Sequence, residues 1–171
     1  MKGLVHIYTG DGKGKTTAAV GLAVRAAGDG LRVLFVQFLK GQATGELGPL
    51  RALGMDIVRS PGVKKFIPDM TMQERDECRV AQQVCLRAAI DGATRYDLVI
   101  LDEAIGAAET GMIDIDALEE LVKHKPAPLE LVLTGRGAPQ RLIELADYVS
   151  EIKAVKHPYD KGIGARKGIE Y

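Results

Sequence analysis

At 171 residues the chain has room for one full hydrophobic core, and 46% of it is hydrophobic. Its 23 Lys and Arg balance 23 Asp and Glu to a formal charge of zero, which argues against a general electrostatic grip on nucleic acid and leaves only a local basic patch open. No apolar run approaches the ~20 residues that span a bilayer, and Met1-Lys2-Gly3 leads straight into an apolar stretch, so neither a membrane segment nor a signal peptide is expected.

Residues 4–8 read as a first strand and 16–27 as a first helix, with Ala18, Ala19, Gly21 and Ala23 small enough to lie against a sheet. Gly28-Asp29-Gly30 stops that helix. Residues 33–38 form a nearly continuous apolar run with β-branched and aromatic members, as suits a central strand buried on both faces. A short helix is expected over 47–53, a short strand over 56–59, and then a loop over 60–69 with two prolines and Lys64-Lys65-Phe66. That loop is either a mobile element at the ligand edge or a solvated connection. The longest helix spans 71–91: Thr71 and Glu74 fit a capping box, and Cys78, Ala81, Cys85 and Ala88 mark a packing face. The two cysteines, seven residues apart, lie ~10 Å apart along a helix axis and cannot bridge. Buried free thiols fit a reducing cytoplasm.

A strand over 96–101 is followed at once by Asp102-Glu103. Then come a helix over 117–123, a strand over 129–133 ending in Thr134-Gly135-Arg136-Gly137, a helix over 139–145 and a last strand over 148–152. The tail from Lys153 onward is glycine-rich and basic. Strands alternating with helices, with no linker and no internal repeat, predict one α/β domain over residues 1–171. Its sheet is open and mostly parallel, with helices on both faces.

The chemistry centres on Thr9-Gly10-Asp11-Gly12-Lys13-Gly14-Lys15-Thr16-Thr17, which joins the first strand to the first helix. Strand, glycine-rich loop and Gly-Lys-Thr opening a helix is the phosphate cradle of a P-loop. Loop glycines let the backbone N–H groups close on an anion at the helix start. Lys15 adds a positive charge, and Thr16 offers a hydroxyl to magnesium. The P-loop pattern asks for glycine at position 9, where this chain has Thr9. Phosphate binding is still expected, but the usual nucleotide pose and the usual bond broken do not follow from this loop. The plainer alternative is a glycine-rich turn that merely caps the helix.

An apolar strand ending in an acid pair is the second nucleotide signal. Asp102 or Glu103 can hold magnesium, directly or through water; Glu103 is the preferred of the two, and a helix N-cap is the bland reading. Arg136, bracketed by glycines, is placed to clamp a phosphate oxygen, unless it makes only a surface ion pair. Gln37 and Lys40 flank the carboxyl end of a strand, where open α/β sheets bind ligands. Asp11 is odd beside polyphosphate, and His157 has no role that its residue type dictates.

Taken together, the segments Thr9 to Ala19, Val36-Gln37-Phe38-Leu39-Lys40-Gly41, Leu101-Asp102-Glu103, Leu133 to Pro139, Ala146-Asp147, Lys156 to Ile163 and Gly168-Ile169-Glu170-Tyr171 resemble the P-loop type corrinoid adenosyltransferases. The resemblance runs the length of the chain and implies a P-loop NTPase-like (RecA-like) fold. It implies transfer of the 5′-deoxyadenosyl group of ATP to cobalt(I) of a reduced corrinoid, with release of triphosphate, in adenosylcobalamin biosynthesis or salvage. By resemblance, Lys15, the loop amides and Arg136 carry leaving-group charge, and Thr16 with Glu103 holds Mg2+. Gln37 and Lys40 contact nucleotide or approach the corrinoid. Relatives often carry an aromatic-x-aromatic step thought to displace the lower cobalt ligand. Here the step is Phe66-Ile67-Pro68, which leaves Phe66 to act alone. A homodimer and an electron-donating reductase are implied as well.

Two other functions share the P-loop: an ATPase or kinase that cuts at phosphorus, and a nucleotide-gated binding module with no covalent product. The tail block and Thr9 favour adenosyl transfer over both.

Overall fold

The computed structural model describes residues 2–60, 65 and 67–171. Among these residues six strands form one sheet: β1 (Val5–Thr9), β2 (Val33–Gln37), β3 (Asp56–Arg59), β4 (Leu98–Asp102), β5 (Glu130–Thr134) and β6 (Tyr148–Glu151). Their spatial order is β3-β2-β4-β5-β1-β6, and every pairing is parallel. The helices are α1 (Lys15–Gly28), α2 (Leu47–Ala52), α3 (Met72–Gly92), α4 (Ala104–Glu109), α5 (Ile115–His124) and α6 (Gln140–Ile143). Among the described residues no helix is long and apolar enough to cross a membrane.

Burial explains the layering. β2 and β4 are buried at every position, as their unbroken apolar runs require of central parallel strands. One face of the sheet (Val33, Phe35, Leu98, Ile100, Val132) packs on Ala19, Ala23 and Ala26 of α1 and Leu50 of α2. The other (Val5, Ile7, Val36, Val99, Leu101, Leu133) packs on α3, α4, α5 and α6. The stripe of α1 differs from the expected one. Ala19, Ala23 and Ala26 face the sheet, whereas Ala18 and Gly21 are exposed. On α3 the buried face is Cys78, Gln82, Cys85, Leu86 and Ala89, with Ala81 and Ala88 only half-buried.

Other expectations are met. Thr71 and Glu74 form the capping box, with side-chain to backbone bonds of 3.2 and 2.8 Å in the two directions. Cys78 and Cys85 are free and buried, and burial pushes the Cys85 thiol up to about 11, which leaves it unreactive. The helix α4 is not marked in the sequence. It follows β4 with no glycine or proline between them, and the reversal is made by Glu103 itself, in the left-handed region at φ 62.

The register sets the functional edge. Gln37 pairs with Asp102, Leu101 with Leu133, and Tyr8 with Thr134. The carboxyl ends of β1, β2, β4 and β5 therefore finish side by side, next to the start of α1. Ligands of open α/β sheets bind at such an edge.

Candidate functional site

The loop between β1 and α1 is shaped by its neighbours as much as by its glycines. Gly12 N–H donates to Ile152 O at 2.7 Å, and Ile152 N–H donates to Thr9 O at 2.8 Å. A Cβ at position 10 would lie 2.5 Å from the Ile152 carbonyl oxygen, and one at position 12 would lie 2.7 Å from it. Gly10 also has φ 99, so it meets both requirements that glycine alone satisfies. The chain just beyond β6 is thus the back wall of the loop.

Lys15 folds into this loop. Its Nζ donates to Gly10 O at 2.6 Å and Gly12 O at 2.9 Å, and the residue is 8% exposed. Burial lowers its pKa from the ordinary lysine value. Thr9, at the position where the pattern asks for glycine, is buried, and its Oγ1 accepts from Ala138 N–H at 3.2 Å. The hydroxyl therefore ties the start of the P-loop to the turn that carries Arg136. Arg136 Nε stands 3.9 Å from Asp11 Oδ1, both side chains largely exposed. That pairing answers the oddity of a carboxylate in the loop.

Asp102 is the hub of the site. It is fully buried, and both oxygens are satisfied. Thr16 Oγ1 and Thr134 Oγ1 donate to Oδ1 at 2.8 and 2.9 Å; Lys40 Nζ and Gln37 Nε2 donate to Oδ2 at 2.8 and 3.3 Å. Thr134 also accepts from Glu103 N–H at 2.9 Å, which fixes the turn into α4. Gln37 Nε2 reaches Glu46 Oε1 at 3.0 Å as well, and Lys40 Nζ lies 3.2 Å from Thr16 Oγ1 and 3.9 Å from Glu46 Oε1.

A cavity of about 440 Å3 opens above these groups. Asp11 to Thr17, Lys40, Glu103 and Arg136 line it, which brings these candidate residues together. Thr9, Gly10 and Gln37 do not. Thr9 and the fully buried Gln37 lie beneath the lining and brace it. Phe66 lies outside the described residues. Glu46 also lines the cavity, and so does the tail through His157 and Gly168 to Tyr171. His157 acquires a role here: its Nδ1 accepts from Tyr159 N–H at 3.2 Å and caps a turn of 3-10 helix over Pro158–Lys161. Glu46 carries no sequence signal, because its partner Gln37 is nine residues away across a loop.

The donor set fits a divalent cation bound with phosphate. The Lys40 ammonium already rests between the Thr16 hydroxyl and Asp102, with Glu46 near, so a cation is electrostatically at home there. Among the described residues no three His, Cys, Asp or Glu side chains cluster as a metal cage. Magnesium takes most of its ligands from phosphate and water, so it needs no such cage.

Glu103 faces the same cavity, and burial, followed by the Asp102 charge, raises its pKa above the ordinary glutamate value. It therefore takes up a proton earlier than a free glutamate as pH falls, and the neutral form is a poor cation ligand. On the sequence expectation that Glu103 holds Mg2+ beside the phosphates of ATP, KM for Mg·ATP is expected to rise towards low pH, beginning above the ordinary value of 4.5. Glu103→Gln should show a high KM that no longer changes over that range, measured by steady-state kinetics from about pH 5 to 8. An acid limb of wild-type shape in this variant would rule Glu103 out as its source.

A glycine loop backed by a parallel sheet, a seated lysine, a threonine on a buried aspartate and a guanidinium across the cavity define a P-loop nucleotide-binding site. The chain belongs to the ATP:corrinoid adenosyltransferase BtuR/CobO/CobP family, whose model matches residues 1–171. It is 37% identical to the corrinoid adenosyltransferase of Escherichia coli (strain K12), an alignment covering 99% of this chain and 86% of that one. It is 34% identical to the corrinoid adenosyltransferase of Pseudomonas aeruginosa, covering 99% and 84%. It is 35% identical to the corrinoid adenosyltransferase CobA of Salmonella typhimurium, covering 99% and 86%. The protein is thus an enzyme of this family, with ATP and a corrinoid as its substrates.

Proposed function

We propose that the site performs adenosyl transfer by holding the triphosphate of ATP as a leaving group while leaving the ribose 5′-carbon open to the corrinoid. Cobalt(I) of the substrate supplies an electron pair to C5′, the C5′–O5′ bond breaks, and its electron pair departs with triphosphate. No side chain needs to become covalently attached. What the chain supplies is alignment and charge.

In this reading the loop amides and Lys15 take the negative charge that grows on the leaving oxygens, and Lys13 and Arg136 add to it from the rim. Thr16 and Glu103 would hold Mg2+, with Asp102 fixing the Thr16 hydroxyl; the ion when bound supplies further charge neutralisation on the polyphosphate. Thr17, beside Thr16 on the cavity wall, and the Asp11–Arg136 pair shape the mouth. Gln37 acts from below, by holding Asp102 and Glu46. Phe66 is assigned to displacing the lower cobalt ligand, which eases reduction of cobalt(II). Phe66→Ala is then expected to slow turnover with an enzymatic reductant more than with pre-reduced cobalt(I), and equal losses in the two assays would reject that role.

The observation that carries the proposal is the convergence on one 440 Å3 cavity of the P-loop, Lys40, Glu103, Arg136 and the tail. We extend the reading to a single-domain, cytoplasmic enzyme that acts as a homodimer with an electron-donating reductase. The test is anaerobic incubation with ATP, Mg2+ and cob(I)alamin. The visible spectrum should change to that of an alkylated corrinoid, with triphosphate as the inorganic product. Orthophosphate or diphosphate released directly, with no spectral change, would point instead to cleavage at phosphorus.

A further inference from the structure

One buried polar side chain in the apolar face of α3 is not explained by packing. Gln82 is fully buried among Cys78, Cys85 and Leu86, where an amide is costly unless both ends are bonded. Both are, by groups outside α3, with the Cys78 thiol of the same helix as a further neighbour. Its Oε1 accepts from Leu39 N–H at 3.1 Å, and its Nε2 donates to Ser60 Oγ at 2.7 Å.

Leu39 is the telling partner. Among the described residues only Leu39 (φ 58) and Glu103 have positive φ without being glycine. Lys40 N–H donates to Phe38 O at 2.7 Å, which closes a three-residue turn centred on Leu39. Such a turn with its centre at positive φ is the strained kind, and a leucine does not adopt it without restraint. Its consequence is directional. The chain reverses immediately after β2, and Lys40 Nζ arrives 2.8 Å from Asp102 Oδ2 and 3.2 Å from Thr16 Oγ1. Arg59 grips the following stretch by donating to the carbonyls of Lys40 and Gln42. The N–H group of Leu39 itself is held by Gln82.

We propose that Gln82 is a positioning residue for Lys40: its amide holds the left-handed turn at Leu39 that delivers the Lys40 ammonium to the Thr16–Asp102 corner, and it links that turn to Ser60. Its bearing on catalysis rests on the reading of that corner as the magnesium and polyphosphate site. The placement of the ammonium does not.

The test uses the full chain and two readouts that need no turnover. In the wild-type protein without nucleotide, Leu39 N–H should exchange with solvent deuterium as slowly as the amides of β2. Exchange at the rate of an open loop would overturn the proposal without any variant. Brief treatment with acetic anhydride, read by mass spectrometry, should modify Lys40 slowly relative to exposed Lys167. Gln82→Met keeps the side-chain length but removes the acceptor, and it should raise Lys40 modification about five- to tenfold. Gln82→Glu keeps an acceptor for Leu39, and the Ser60 hydroxyl can turn to donate, so protection should return. In kinetics Gln82→Met should raise KM for Mg·ATP by about the same factor with kcat within about twofold, because lost preorganisation weakens ground and transition states alike. Unchanged Lys40 protection in a folded Gln82→Met, or failure of a folded Gln82→Glu to restore it, would contradict the proposal. Altered protection with unaltered KM would leave the positioning intact and instead count against the corner as the polyphosphate site.

Discussion

Lys15→Ala is expected to lose about 10²–10³-fold in kcat, the range for removing one preorganised charge donor from a reacting oxygen. The lysine is 8% exposed, and burial pushes its pKa down. Without ligand the ammonium is satisfied by the Gly10 and Gly12 carbonyls. In the proposed mechanism it exchanges those two bonds for phosphate oxygens when ATP binds. Charge on the leaving triphosphate is greatest as the C5′–O5′ bond breaks, so the loss should fall on kcat more than on KM. Lys15→Arg should not rescue, because a planar guanidinium does not fit a seat built around a single nitrogen between two carbonyls. Steady-state rates with cob(I)alamin and varied ATP measure both constants. A kcat near wild type in Lys15→Ala would remove the lysine from the account.

Asp102→Ala should damage stability and activity together. The substitution deletes an acceptor that serves four donors, Thr16, Gln37, Lys40 and Thr134. It strands an ammonium and leaves a buried threonine hydroxyl without its acceptor. Breaking a buried pair from one side costs about 3 kcal/mol here, the low end of the usual range, because the Lys40 side chain remains 27% exposed. For a chain of this size that is roughly 6–12 °C in Tm. Activity should fall by a further factor of about 10² at saturating Mg2+, since the group that orients the Thr16 hydroxyl is gone. Asp102→Asn separates the two effects. It keeps the volume but turns an NH2 towards two of the four donors, so it should recover part of the Tm and little of the rate. Thermal unfolding and initial rates on the same preparations decide this; a variant as stable and as fast as wild type would mean that the hub is dispensable.

The parts of this site legible in the sequence are those carried by local pattern. The glycine loop, Lys15 and Thr16 are contiguous, and the acid pair and the Arg136 turn each end an apolar strand. Which of Asp102 and Glu103 faces the cavity is not legible in the sequence, because the strand ends between them. The parallel register with Gln37 and the left-handed turn at Glu103 separate them. Asp102 turns down onto Thr16, and Glu103 faces the cavity. Thr9 reads as a defect in a motif until its bond to Ala138 is seen. Gln82 reads as one polar position on an amphipathic helix, and only tertiary contact gives it partners 43 and 22 residues away. The phase of the α1 stripe is not legible because small residues are dense there; the sheet selects Ala19, Ala23 and Ala26.

The proposed mechanism stands on which bond of ATP is cut. The most direct measurement uses ATP carrying heavy oxygen at the bridge between C5′ and the α-phosphorus, turned over anaerobically with Mg2+ and cob(I)alamin, with the products weighed by mass spectrometry. Attack on carbon sends the label out with triphosphate and leaves an adenosyl group on cobalt without it. Label retained on the nucleoside product, with unlabelled phosphate released, would mean that the bond broken is to phosphorus and would contradict the account.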